Sequence, residues 1–335
     1  MSRIAALSIC ASAVAILLGA QAAFADDKVS IITSWTAEAE HGGFYEALAN
    51  GYYKKHGLDV TIRQGGPQLN SGQMLAAGAV DFRVGSNSGG DLNFVQSDVP
   101  AIAVAAIFQK DPTVLLAHPD SGINTMSDMK GKAIAISKVS IDSWWPFLRA
   151  KFGFVDTQIR PYTFQLAPFL LDKMLVQQGY VTSEPFAIEN QGGFKPKIFL
   201  LADAAGYKSY ATLIETTSKL VDSNPDLVQR FVDASIEGWY TYLYGDPTPA
   251  NALIKKDNPD MTDAQIAYSI GKMKEYGIVD SGDSKTLGIG AMTNTRWKAF
   301  FDAFVAVGLY PKTLDYKKAY TLKFVNKKHD LEAAK

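Results

Sequence analysis

The sequence predicts an α/β protein of two domains, each a mixed sheet flanked by helices, with the C-terminal helices on the first domain. Three observations carry this reading. Short β-branched runs alternate with helical stretches from Val29 to about Phe199, the pattern of βα units. The strand signals restart as a second set at Lys132, which divides them between two sheets. From Asn224 onward, apolar residues recur at helical spacing (Leu227, Phe231, Ile236, Trp239, Tyr240, Leu243) and strand signals almost vanish.

Taken in order, Val29–Ile32 reads as the first strand, 43–55 as a helix, Leu58–Ile62 as the second strand and Ser71–Ala77 as a short helix. Ala79–Val84, Ala101–Phe108 and Thr113–Ala117 continue the strands. The second set has strands at Lys132–Ser137, Tyr162–Gln165, Tyr180–Thr182 and Lys197–Leu201, with a helix over Trp144–Phe152. Asn224-Pro225 is an N-cap followed by proline at the first helical position. Two more helices follow, Asp263–Glu275 and Arg296–Val307. The expected division is a first domain over 26–118 plus 212–335 and a second over 119–211, with crossovers near His118–Gly122 and Ala205–Ala211.

The start of the chain reads as an export signal over residues 1–25. Arg3 opens an apolar stretch from Ile4 to Ala20, and Ala23-Phe24-Ala25 supplies small residues where a signal peptidase cuts, so the mature chain begins near Asp26. The apolar run is short for a membrane span. Cys10 is the sole cysteine and falls inside the signal, which leaves the mature chain no disulfide, thiolate metal site or cysteine nucleophile. A lipid anchor on Cys10 is the alternative, disfavoured by Ile9 before it. Removal of Arg3 leaves 32 basic residues against 34 acidic ones and a net charge of −2, which gives no support for nucleic acid or an anionic membrane as partner.

A family resemblance becomes specific after the first strand. The stretch from Trp35 through Glu38, Glu40, His41 and Gly42-Gly43 to Phe44-Tyr45, then Gly51-Tyr52-Tyr53-Lys54-Lys55-His56-Gly57-Leu58, resembles the substrate-binding proteins of nitrate, taurine and alkanesulfonate ABC importers. It most resembles their branch that binds thiamine-pyrimidine precursors. Gly65-Gly66-Pro67-Gln68, Met129-Lys130-Gly131-Lys132 and Ser183-Glu184-Pro185 sit where that branch has similar segments. The resemblance implies a type II periplasmic binding protein: a periplasmic monomer that captures a small molecule and hands it to an inner-membrane permease with its cytoplasmic ATPase. It implies no catalytic residue, no metal and no cofactor. A thiamine-precursor pyrimidine is the first ligand expected; a taurine-like sulfonate or another small aromatic solute is the alternative.

In open α/β sheets ligands settle beyond the carboxyl ends of the strands. Trp35, Ser86, Asn87, Ser137 and Glu184 all follow strands and are the first candidates. Trp35 offers a flat stacking face, with a packing tryptophan as the alternative. His41 either touches ligand or serves as a cap or core residue. Of the adjacent Trp144 and Trp145, one is expected in the core and Trp144 is the candidate to close over ligand. The resemblance implies that Glu184 reaches the ligand, with Tyr180 as its neighbour; without it, Glu184 is a solvated loop acid. Gly65-Gly66-Pro67 lacks the spacing of a phosphate loop and reads as a tight turn, beside which Gln68 and Asn70 face the cleft or solvent.

An enzymatic reading competes, because thiamine-pyrimidine synthase resembles these binding proteins in fold. That chemistry uses pyridoxal phosphate, iron and a histidine of the protein itself, with a Schiff-base lysine shortly after the third strand and a cysteine-rich motif. Gly85-Ser86-Asn87 stands in the lysine's place, and the mature chain carries no cysteine. No metalloprotease, hydrolase-elbow or dinucleotide motif is present.

Overall fold

The computed structural model describes residues 25–66 and 69–328; residues 1–24, on which the expected export signal and Cys10 fall, and Pro67 and Gln68 lie outside the described residues. The strands are β1 (Asp27–Ile32), β2 (Leu58–Arg63), β3 (Phe82–Asn87), β4 (Ala101–Phe108), β5 (Thr113–Ala117), β6 (Ile134–Ile136), β7 (Ile159–Pro161), β8 (Val176–Tyr180), β9 (Lys197–Leu200) and β10 (Ala211–Thr217). They form two five-stranded sheets, ordered β2-β1-β3-β10-β4 and β7-β6-β8-β5-β9. In the first, β1 runs parallel to β2 and β3, while β10 is antiparallel to β3 and β4. In the second, β6 is parallel to β7 and β8, and β5 is antiparallel to β8 and β9. Both sheets are therefore mixed, as the alternating pattern requires when one returning strand is inserted into each.

Thr113–Ala117 corrects the expected division of the chain. It pairs with β8 and β9 of the second sheet, so the first crossing runs through 109–112 and not near His118–Gly122. Local pattern cannot tell which sheet an apolar run joins, since all five residues of β5 are buried. The return crossing runs from a π turn at Leu201–Ala205 to β10. Tyr162–Gln165 is a loop after β7, in which Phe164 takes a φ of 65° that no strand admits. The helix expected over 43–55 is two, Gly42–Ala49 and Tyr52–Lys55, because Gly51 between them has φ 70°. Lys327 and Lys328 are exposed.

The long helix Pro225–Tyr244 starts where the sequence places it, with the Asn224 side chain accepting from the Leu227 N–H at 3.2 Å. Its apolar face covers the first sheet. Phe231 stacks on Phe82 at 3.9 Å between ring centroids, and Trp239 meets Phe44 and Phe108 edge-on. Gly238 lets it approach helix Gly42–Ala49: a Cβ there would stand 2.1 Å from the Gly43 carbonyl oxygen. Gly238→Ala is thus expected to destabilise the protein by about 1–3 kcal/mol, because backbone has to yield. Gly271→Ala, in helix Asp263–Glu275 with no atom within 4 Å, should be neutral or stabilising by up to about 1 kcal/mol. Urea midpoints of the two variants make the comparison, and equal losses would contradict the close approach. Among the described residues no helix is long and apolar enough to cross a membrane.

Candidate functional site

The loop after β1 presents Trp35, half-buried, toward the second lobe. Thr33 Oγ1 donates to the Trp35 carbonyl at 2.5 Å, and the Gly65 N–H donates to the same carbonyl at 3.1 Å. Gly65 follows β2, and a Cβ on it would lie 2.2 Å from the Thr33 carbonyl oxygen. Glycine at 65 is therefore what allows this segment to clamp the Trp35 loop. Across the cleft Trp35 meets Phe164, the ring centroids 4.1 Å apart and the planes 42° from parallel, and Phe164 in turn touches Tyr162 at 4.8 Å.

Glu184 begins helix Glu184–Gly192, with Pro185 in its first turn. Proline here starts a helix rather than ending a strand, since its missing N–H would be unpaired in a first turn anyway. The half-buried Glu184 carboxylate takes a hydrogen bond on each oxygen: from Tyr162 Oη at 3.1 Å and from the Tyr180 N–H at 2.7 Å. Just before it, the Thr182 hydroxyl donates to buried Glu40 of the first lobe. The Thr182 carbonyl accepts from Ser269 Oγ of helix Asp263–Glu275 at 2.7 Å. The segment 181–186 thus bridges the lobes.

These contacts gather carboxyl groups. Burial pushes Glu38 well above the usual carboxylate range, and the charges of Glu40 and Glu184 push it further. Glu40 is pushed up to about 6, chiefly by burial and against the Thr182 hydrogen bond. Burial raises Glu184 too, with its two donors resisting. The Tyr180 phenol is raised by burial and then by the fields of Asp111, Glu38, Glu40 and Glu184. Asp111, in the first crossing, accepts from the Thr113 N–H at 2.9 Å and Oγ1 at 2.6 Å, and burial lifts it to about 6. The centre is therefore a proton-hungry cluster shared between the lobes.

A pH dependence follows from its sign. Glu40 has a folded value above its unfolded one, so its contribution to stability is present below about pH 4.5 and lost as pH rises through about 6. His41 acts oppositely: burial lowers it to about 3, so it stays neutral in the fold and weakens it below pH 6.5. The difference between Glu40→Gln and the native protein removes the His41 effect. Glu40→Gln is expected to raise the melting temperature at pH 8, with the gain, on the order of 2 kcal/mol, fading toward pH 4.5. Melting curves across that range decide it; a gain that grows on acidification would refute the assignment.

The other sequence candidates take the following places. Trp35, Tyr180 and Glu184 come together with Glu38 and Glu40. His41 is buried, its Nε2 3.1 Å from Ser34 Oγ, and its side chain caps no helix. Asn87 caps helix Ser88–Gln96 through the Gly89 N–H at 3.2 Å, and Ser86, half-buried, lies before it in β3. Ser137 caps helix Lys138–Asp142 and receives Gln178 Nε2 at 3.1 Å. Trp144 and Trp145 are both buried, the latter donating to Asp156 Oδ1 at 2.9 Å. Asn70 caps helix Ser71–Ala76. Sequence reading missed Phe164, Tyr162, Asp111 and the weight of Glu38 and Glu40. The pair Glu38 and Glu40 inside the first-loop motif was the available signal.

Two mixed α/β lobes joined by two crossings, with their facing loops in contact, define the periplasmic binding protein fold. The chain belongs to the NMT1/THI5-like family, whose model matches residues 38–250. It is similar to the riboflavin-binding protein RibY of Chloroflexus aurantiacus, 24% identical over 306 residues, which span 89% of this chain and 86% of that one. It is 25% identical over 131 residues to the 4-amino-5-hydroxymethyl-2-methylpyrimidine phosphate synthase of Schizosaccharomyces pombe, spanning 38% and 36% of the two chains. Among solved structures it resembles the alkanesulfonate-binding protein SsuA of Xanthomonas axonopodis pv. citri bound to MOPS, with TM-score 0.64, 14% identity and coverage of 89% and 99%.

Proposed function

We propose that this chain is the periplasmic, monomeric solute-binding component of an ABC importer. It captures a flat, nitrogen-rich heterocycle carrying N–H donors and passes it unchanged to an inner-membrane permease served by an ATPase. A thiamine-precursor aminopyrimidine is the first such ligand. The observation that carries the reading is the placement of Glu38, Glu40 and Glu184 beside the Trp35–Phe164 pair, with each ring and each side of the acid cluster on a different lobe. A planar ring that parts the two aromatics, which touch at 4.1 Å here, buries apolar faces, while its amino groups donate to lone pairs of the carboxyl cluster that Thr182, Tyr162 and Tyr180 leave free. Riboflavin, for which RibY is named, is also a flat nitrogen heterocycle, which supports this class.

A sulfonate reading draws on the SsuA likeness, yet the Glu40 and Glu184 carboxylates oppose an anion. The synthase reading asks for groups this chain lacks. Gly85 offers no amine, a side chain there would have to displace the buried Glu215 carboxylate 1.5 Å from its Cβ, and among the described residues no cluster of His, Cys, Asp and Glu is arranged to hold a metal. The residues do not fit the cofactor and iron of that chemistry. A thermal-shift screen of pyrimidines, flavins and alkanesulfonates tests the proposal. At about 100 times its dissociation constant a ligand adds roughly 2.7 kcal/mol. Stabilisation by heterocycles is expected; stabilisation by sulfonates alone would reverse the reading.

A further inference from the structure

A cavity of about 580 Å³ shares no lining residue with the Trp35–Glu184 cluster. Its walls come from both lobes and both crossings: Phe147 and Asp203 from the second lobe, Phe300 and Phe304 from the first, Gln109 from one crossing and Tyr207 from the other. Its apolar side is a packed aromatic group. Phe147 stacks on Phe304 at 5.3 Å, and Tyr207 meets Phe300 at 5.6 Å and Phe304 at 6.0 Å. Helix Asn294–Ala306 adds Ala299 and Ala303, small residues that leave the space open.

The charges of the lining do not balance. Asp203 is paired with Lys110 at 3.4 Å. Asp283 accepts from Tyr210 Oη at 2.6 Å and Thr293 Oγ1 at 3.2 Å and faces Arg296 at 3.9 Å. Arg296 is itself spent on the Gln109 and Ser209 carbonyls, with its guanidinium 4.0 Å from the Tyr210 ring. Lys208 remains: it is exposed, lines the cavity, and its ammonium has no hydrogen bond or ion pair among the described residues. An aromatic floor under a single uncompensated cation complements a molecule with a flat apolar body and one negative charge.

We propose that this hinge cavity is a second binding site, separate from the acidic cleft, for a small aromatic monoanion of the carboxylate or sulfonate class. The acidic cleft repels such a molecule, so the two sites sort ligands by charge. The walls come from both lobes and both crossings, so an occupant lies at the hinge.

The test uses 2-naphthoate and its uncharged counterpart 2-naphthamide, titrated into the protein by calorimetry. Naphthoate is expected to bind saturably and more tightly than naphthamide. Lys208→Glu, at an exposed position, should weaken naphthoate roughly five- to tenfold and leave naphthamide within about twofold. Ala303→Trp, which fills the cavity, should remove binding of both, while Trp35→Ala should change neither. The proposal is overturned if naphthoate shows no saturable binding, if Lys208→Glu leaves its affinity unchanged, if a folded Ala303→Trp protein still binds it, or if Trp35→Ala abolishes it. The last outcome would put naphthoate in the cleft. Should Ala303→Trp fail to fold, the Lys208→Glu arm and the Trp35→Ala control still decide. None of these results depends on which ligand the cleft takes.

Discussion

Glu184→Gln should weaken binding of a hydroxymethyl-aminopyrimidine about ten- to a hundredfold, with the fold intact. The carboxylate keeps free lone pairs beyond those taken by Tyr162 Oη and the Tyr180 N–H, and a ring amino group donating to a charged acceptor contributes roughly 1.5–3 kcal/mol. Glutamine keeps one acceptor and loses the charge. The same change should improve any residual binding of a sulfonate, because two like charges 4 Å apart repel by about 4 kcal/mol at an effective dielectric near 20. Titrating both ligand classes into both proteins checks the opposite signs. Equal affinities in native and variant proteins would place Glu184 outside the binding chemistry.

Trp35→Ala is the second large effect. If the ligand ring enters between Trp35 and Phe164, the substitution removes one of two faces and should weaken binding roughly five- to a hundredfold, from a stacking contribution of about 1–3 kcal/mol. Phe164→Ala should act in the same direction, since the two rings lie on opposite lobes. The melting temperature of the unliganded variant separates loss of binding from loss of folding: a half-buried loop residue should shift it little. Native affinity in a folded Trp35→Ala protein would remove this residue from the site.

The sequence carried the fold further than it carried the site. Alternation and helical spacing are local signals, so β1, β2, β4 and helix Asp263–Glu275 could be read within a residue or two, and the Asn224 cap is plain in the chain. Sheet membership is not local. Thr113–Ala117 was legible as a strand, but only pairing with β8 and β9 decides that it belongs to the second sheet. Phe164 was illegible for a different reason. Its left-handed backbone is imposed by tertiary contact, and an aromatic between Thr163 and Gln165 reads as strand. Glu38 and Glu40 were in view as part of a motif, yet acids before a helix ordinarily face water, and the burial of Glu40 depends on a second lobe that arrives more than a hundred residues later. Asn87 and Ser137 show the converse. Both follow strands as ligand residues do, and both side chains are used to cap the next helix.

Calorimetric titration of the native protein at neutral pH with a hydroxymethyl-aminopyrimidine and, separately, with an alkanesulfonate addresses the acidic cleft most directly. Saturable one-to-one binding of the pyrimidine, with the sulfonate weaker by about a thousandfold, is the result expected from one uncompensated carboxylate at contact distance. Tight binding of the sulfonate with none of the heterocycle would contradict the account.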